Sequence, residues 1–313
     1  MLWLTWRQHR LQLLAMAAVV AMLAAYLVYR GAALAEPAAV MRACAMGTVT
    51  GLPCDKLLDY VGVDSGLNIT LAAINLLPAL VGAFWGAPLI ARELERGTQR
   101  LVWGQSVTRR RWLGAKLGGL AVAALLGGAA QAMVVTWAVD QFAVIRTINR
   151  FQDPALFDLV GVVPPVLWLF ALSLGTVVGL LARRTLPAMA ITLAVLVATL
   201  FGLNMLRPHY ATPETRPLNQ AISGTAVYAP QDWLLGIQRR DSRGHAVGDA
   251  TAERLCPQQW DESCLNSNGI TVNRIFHPST LFWRFQWIEA GILLAGTALL
   301  TGFALIRLSR RAD

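Results

Sequence analysis

The chain has 313 residues, of which 56% are hydrophobic and 14% charged, with a mean hydropathy of +0.50. This is far from a soluble globular average, and the apolar residues gather in runs of about 20, enough to cross a hydrocarbon layer of roughly 30 Å as helices. The formal net charge of +9 is scattered through short segments between those runs, so it reads as membrane topology and argues against a nucleic-acid surface.

The chain opens Met1-Leu2-Trp3-Leu4-Thr5-Trp6-Arg7-Gln8-His9-Arg10, with Leu2, Trp3 and Trp6 at helical spacing and two arginines within reach of phosphate headgroups. That pattern predicts an interfacial helix over 1–10, acting as an elbow that braces a moving bundle or as a plain anchor. Six spans follow, at about Leu11–Tyr29, Leu71–Ala91, Leu113–Val139, Val160–Leu181, Leu186–Leu206 and Phe285–Ile306. The first run is too long for a signal-peptide core, and Tyr29-Arg30-Gly31 is a poor cleavage signal. The expected fold is therefore an all-α polytopic membrane protein with six transmembrane helices, forming a single transmembrane domain over 1–313.

Basic residues fix the expected orientation. Arg7 and Arg10 precede span one; Arg92, Arg96, Arg100, Arg109, Arg110, Arg111 and Lys116 lie between spans two and three. Arg183 and Arg184 separate spans four and five, and Arg307, Arg310 and Arg311 follow span six. All four groups fall on one side, against the acids Glu93, Glu95 and Asp313, which puts both termini in the cytoplasm. Arginine dominates, with Lys56 and Lys116 the two lysines, which fits a GC-rich bacterial genome.

The external segments are uneven, and the last, 207–283, is the longest. Its prolines, Trp233, Trp260 and two cysteines predict a small folded lobe between spans five and six. Cys44 and Cys54 fall in the first external loop and Cys256 and Cys264 in this last one, so two close pairs read as disulfides in an oxidising compartment. Other pairings of the four are compatible with the sequence. A metal site is the rival, but neither pair has CxxC spacing, and His245 and His277 complete no ligand pattern.

Within the spans, Glu289 is a candidate gating or substrate residue, because an intramembrane carboxylate needs a reason. It also lies close enough to Arg284 to sit at the interface or pair with it. Asn75, Gln131 and Asn204 suggest interhelical hydrogen bonds. Gly175 and Gly179 form a GxxxG that permits close helix contact, and Pro78 and Pro88 can kink span two. Phe84, Trp85, Leu89, Phe201 and Met205 would give an apolar wall suited to hydrophobic or amphipathic cargo, although lipid-facing residues are equally apolar.

The charged island over 92–112 is the most informative segment. It carries Glu93, then Glu95-x-Gly97-Thr98, Leu101, Ser106-Val-Thr108-Arg109 and the approach to Lys116. With the six-span topology, the large loop between spans five and six and the opening Leu-x-Trp-Arg-Gln-His-Arg, the chain resembles the permease subunits of ABC-2 type ABC exporters. The resemblance implies that 92–112 is a cytoplasmic coupling loop, with Glu93, Glu95, Gly97, Thr98, Ser106, Thr108 and Arg109 facing an ATPase subunit. No GxxxxGK[ST] loop occurs in the sequence. The implied partners are therefore two copies of a separate ATPase subunit, which would bind ATP and Mg, and a second permease copy or a paralogue. The chain itself would hold no cofactor and catalyse no reaction. The alternative is a membrane receptor or immunity protein that binds an extracellular ligand through the lobe without transport. A membrane-embedded enzyme would need converging polar groups, whereas the spans offer Glu289 as a carboxylate and no histidine.

Overall fold

The computed structural model describes residues 2–33, 65–96, 109–142, 149–217, 232–256 and 262–310. Cys44, Cys54, Gly97, Thr98, Ser106 and Thr108 lie outside the described residues. Among those described, six helical stretches are long and apolar enough to cross a membrane: Leu14–Ala32, Ile69–Glu95, Lys116–Asp140, Val163–Ala182, Thr185–His209 and Ser279–Arg307.

Span one belongs to α1 (Leu2–Ala33), which includes the N-terminal segment without a break. Span two is built in pieces: α2 (Ser65–Asn75), α3 (Leu77–Val81), a π-helical turn (Gly82–Gly86) and α4 (Ala87–Arg96). The prolines explain this. Neither Pro78 nor Pro88 can donate a backbone hydrogen bond, so the regular ladder lapses around each. Between them the Ala87 N–H reaches back five residues to the Gly82 carbonyl, the bond that defines a π turn.

Span three is α5 (Arg109–Phe142), and a short α6 (Pro154–Phe157) is capped by the Asp153 side chain. Span four, α7 (Val163–Ala182), is the centre of the bundle, packed against the π turn, α4 and α5 and against spans five and six. Arg183, in the left-handed conformation, closes α7, and extended Arg184 leads straight into α8 (Thr185–Leu206), span five. Span six is α11 (Phe282–Arg310).

Span four is central because glycines let its neighbours reach its backbone. A Cβ placed on Gly86 would stand 2.5 Å from the Leu172 carbonyl oxygen, and one on Gly82 would stand 2.8 Å from that of Ala171. Cβ atoms on Gly175 and Gly179 would overlap the Gly82 and Ala87 carbonyls. The GxxxG of span four thus faces span two, backbone to backbone. On the side of span three, Gly128 meets Pro165 and Gly127 meets the Trp168 ring.

The lobe adds what an all-α reading lacks: an antiparallel sheet of order β1-β3-β2, from β1 (Glu214–Pro217), β2 (Trp233–Arg240) and β3 (Thr271–His277). β3 is Thr-Val-Asn-Arg-Ile-Phe-His, rich in β-branched and aromatic residues but too short to stand out beside the spans. Between β2 and β3 lie α9 (Asp249–Leu255) and α10 (Glu262–Ser267). They are joined by the Cys256–Cys264 disulfide over a small core of Ala252, Leu265, Ile270 and Val272.

Candidate functional site at the two ends of the spans

Charged side chains gather at the two ends of the bundle, the end next to 92–112 and the end that carries the lobe. At the loop end, Glu93 and Glu95 occupy the last turn of α4. Acids are poorly placed at the C-terminus of their own helix, where the dipole is negative. Here they serve other helices. Lys116 Nζ donates to Glu93 Oε1, tying span two to span three with the lysine largely buried. Glu95 Oε2 accepts from the Thr185 backbone N–H at 3.1 Å and from its hydroxyl at 2.6 Å. Glu95 thus caps the N-terminus of span five from span two, at the positive end of that helix dipole. Arg109 opens α5. Glu93 and Glu95 are therefore brought together with two residues that motif reading did not single out as their partners, Lys116 and Thr185.

At the lobe end, Glu289 of span six is fully buried, and its partner is Arg207 rather than Arg284, which is exposed. Arg207 Nε donates to Glu289 Oε2 at 3.0 Å and Nη2 to Oε1 at 2.8 Å, a two-point pairing of guanidinium and carboxylate. The same Nη2 donates to Asp158 Oδ1 at 2.7 Å. Side-chain exposure is 1% for Arg207, 0% for Glu289 and 13% for Asp158. The guanidinium also lies 4.0 Å above the Phe157 ring, a cation–π contact strengthened by burial. One node thereby joins the segment before span four, the end of span five and the start of span six.

Uncharged groups extend the node. Gln286, one turn before Glu289, accepts from the Val162 and Val163 N–H groups at 3.1 Å and donates to the Phe157 carbonyl at 2.9 Å. It supplies the N-terminal cap that span four lacks locally. Gly161, with φ +73°, is needed there, since a Cβ would stand 2.7 Å from the Gln286 side-chain oxygen. His277, buried among Trp233 and Phe285, bonds the Pro208 carbonyl at 3.0 Å. Asn149 Nδ2 donates to the Asp232 carbonyl and the Ser279 N–H to the Asp232 carboxylate, so the lobe is stitched to the segment before span four.

Burial, opposed by Arg207 and reinforced by the neighbouring Glu289, pushes the Asp158 carboxyl up to about 7. Burial raises the Tyr210 hydroxyl as well, and this group faces Glu289 Oε2 at 3.5 Å. Burial pulls His277 below its ordinary value, keeping the ring neutral.

The sequence signal for Arg207 and Asp158 was available in part. A buried carboxylate requires an opposite charge at the same depth, and Arg207 is the first charged residue after the apolar run of span five. Among the wall residues, Trp85 and Leu89 are buried inside the bundle, whereas Phe84, Phe201 and Met205 point outward. Of the polar span residues, Gln131 accepts from Trp168 Nε1 at 2.8 Å, joining spans three and four, and Asn75 donates to the Ala155 carbonyl of α6.

Six helices able to cross a membrane, with the second, third and fifth tied together by Glu93 and Glu95, define a polytopic helical membrane protein. Residues 17–207 match the family model described as ABC-2 membrane transporter related, and the chain belongs to that family. The match runs from span one through span five, includes the 92–112 segment and ends at Arg207. No curated protein and no solved structure matches the chain.

Proposed function

We propose that the chain is the transmembrane permease subunit of a bacterial ABC exporter. Two such bundles, identical or paralogous, form the substrate pathway, and two copies of a separate ATPase subunit bind ATP and Mg and supply the driving force. The observation that carries this reading is the family match across 17–207, which contains the loop between spans two and three. Both termini and that loop face the cytoplasm and the lobe faces outward, as the distribution of arginines supports. The first turns of α1 lie at the headgroups, with Arg109, Arg110 and Arg111 near them.

In this reading Glu93, Glu95, Gly97, Thr98, Ser106, Thr108 and Arg109 form the region on which the ATPase subunits push. The hydrogen bonds of Glu95 to Thr185 support a mechanical role, because a displaced loop end of span two would draw the start of span five with it. Glu289 acts in gating through its pairing with Arg207, since a fully buried carboxylate with a bidentate partner has no free face for cargo. The cargo is hydrophobic or amphipathic, in keeping with the outward-facing Phe84, Phe201 and Met205, which would lie toward the second copy or the lipid.

The test is purification of the chain from its native membrane in mild detergent, with mass spectrometry of co-purifying proteins. A stoichiometric ATPase whose hydrolysis depends on this chain is the expected result. A chain that purifies alone under several mild conditions would overturn the reading in favour of a receptor or immunity protein.

A further inference from the structure

The lobe-end node contains one cation and two carboxylates. Glu289 takes both the Nε and Nη2 positions of Arg207, so that pair is neutral before Asp158 is considered. Asp158 then brings a second carboxyl to the same Nη2, at a site only 13% exposed. With all three groups ionised the node carries a net charge of −1 in a nearly dry setting, which is costly unless a further positive charge joins it.

Among the described residues, the contacts of the surrounding elements supply no such charge. Facing Asp158 are Arg207 and Glu289, with Tyr210 beyond them. On the segment before span four, Arg150 is directed to Asp140 and the Phe282 ring, and Asp153 caps α6. On the other elements His209 and Arg284 are exposed, His277 bonds Pro208, and Asp232 bonds the Ser279 N–H. The missing positive charge is most simply a proton. Asp158 is where it would sit, as the one member of the triad open to solvent.

We propose that the Arg207–Glu289–Asp158 node is a proton-binding site, which holds one proton on Asp158 while spans four, five and six are latched together and releases it when they part. Separation would hydrate Asp158 and remove Glu289 from its side, returning the carboxyl to its ordinary acidity. The proton leaves to the solvent on the lobe side and returns when the latch closes, so alkaline conditions on that side favour the open latch. That this side is external, and that opening belongs to transport, rests on the permease reading; the proton affinity does not.

The test uses the purified full chain in mild detergent, as wild type, Asp158→Asn and Glu289→Gln. A carboxyl whose folded-state affinity for the proton is raised stabilises the fold fully below its unfolded value, 3.8, and that contribution is lost as pH rises through about 7. The folding equilibrium of the wild type relative to Asp158→Asn should therefore fall about tenfold per pH unit from about pH 5 to 7, and level off above. His277 titrates in both proteins and cancels. In infrared spectra a protonated-carboxyl stretch should be present at pH 5, disappear near pH 7 and be missing from Asp158→Asn. Glu289→Gln removes the negative neighbour, so the same band should disappear at a lower pH.

A stability difference independent of pH, or a band that persists in Asp158→Asn, would overturn the proposal. If Asp158→Asn does not fold, the wild-type band and its shift in Glu289→Gln decide the matter. Absence of an ATPase partner would sink the permease reading and leave this test intact.

Discussion

Gly86→Ala probes the closest packing in the bundle. An added Cβ would lie 2.5 Å from the Leu172 carbonyl oxygen, 3.1 Å from Gly175 Cα and 3.2 Å from the Leu172 carbonyl carbon. Ordinary contact begins near 3.4 Å, so spans two and four must part by 3.4 − 2.5, or about 0.9 Å. Every obstructing atom is backbone, and no rotamer change relieves the overlap. A gap of that size forfeits roughly a quarter to a half of each dispersion contact along the seam, and overpacking of this kind costs about 1–3 kcal/mol. Alanine's better helix propensity returns up to about 1 kcal/mol, leaving a net loss of roughly 1–2 kcal/mol. At about 2–4 °C per kcal/mol, Tm should fall by about 4 °C. The assay is thermal unfolding in one fixed mild detergent, with Gly118→Ala beside it. A Cβ at Gly118 meets nothing within 4 Å, so the same chemical change there should leave Tm unchanged or raise it. If Gly86→Ala is as stable as the wild type, spans two and four are not in backbone contact and the account of span four as the centre fails.

Three further outcomes are expected. Arg207→Ala leaves Glu289 and Asp158 buried without their cation and should destabilise by about 3–5 kcal/mol, with part of the loss recovered as pH falls and Asp158 takes up its proton; a pH-independent loss would contradict the node. Glu95→Lys places a cation at the positive end of the span-five dipole and should leave folding intact, at a loss of about 1 kcal/mol; on the permease reading proposed above it should also uncouple ATP hydrolysis from transport. Normal transport with wild-type stimulation of the ATPase would refute the coupling role. Cys264→Ser opens a loop of sequence separation 8 and should weaken the lobe by about 2–3 kcal/mol, seen as faster proteolysis between β2 and β3 while the spans stay folded.

The spans could be read from sequence because a bilayer demands long apolar runs and little else resembles them. The Cys256–Cys264 pair was legible from spacing and from its position in a loop rich in proline and tryptophan. Pairings across the bundle were not, and Glu289 shows why. Arg284 is its nearest cation in sequence, but five positions along a helix is some 140° around the axis. The face of Glu289 is instead the one carrying Phe285, Gln286 and Leu293, all buried. Its partner therefore had to come from another helix, and periodicity within one span cannot say which. Glu93 and Glu95 were legible as special, because acids are scarce in a basic loop, but not as caps and ties. Their partners, Lys116 and Thr185, lie 23 and 90 residues away. The sheet is not legible in the sequence because β1 pairs with β3 across an intervening strand and two helices.

Span five differs from its neighbours in how it is held. Its inward stripe is a single file, Ala188, Thr192, Leu196 and Leu203, while Leu186, Val197, Phe201 and Met205 face outward. Within a bilayer no hydrophobic force presses such a helix inward, so small-residue packing and the end contacts dominate. The two ends are unequal. At the loop end stand hydrogen bonds from Glu95 to Thr185 in an exposed setting, each worth about 1 kcal/mol. At the lobe end Arg207 is buried between the Glu289 carboxylate, the Asp158 carboxyl and an aromatic ring, and removal of one partner there costs several times more. A force applied near 92–112 would therefore shift the start of span five first, with Arg207 as the pivot. The lobe end yields only when the node itself is weakened. Loss of the Asp158 proton does that without breaking the Arg207–Glu289 pair, because it adds an uncompensated charge beside the pivot.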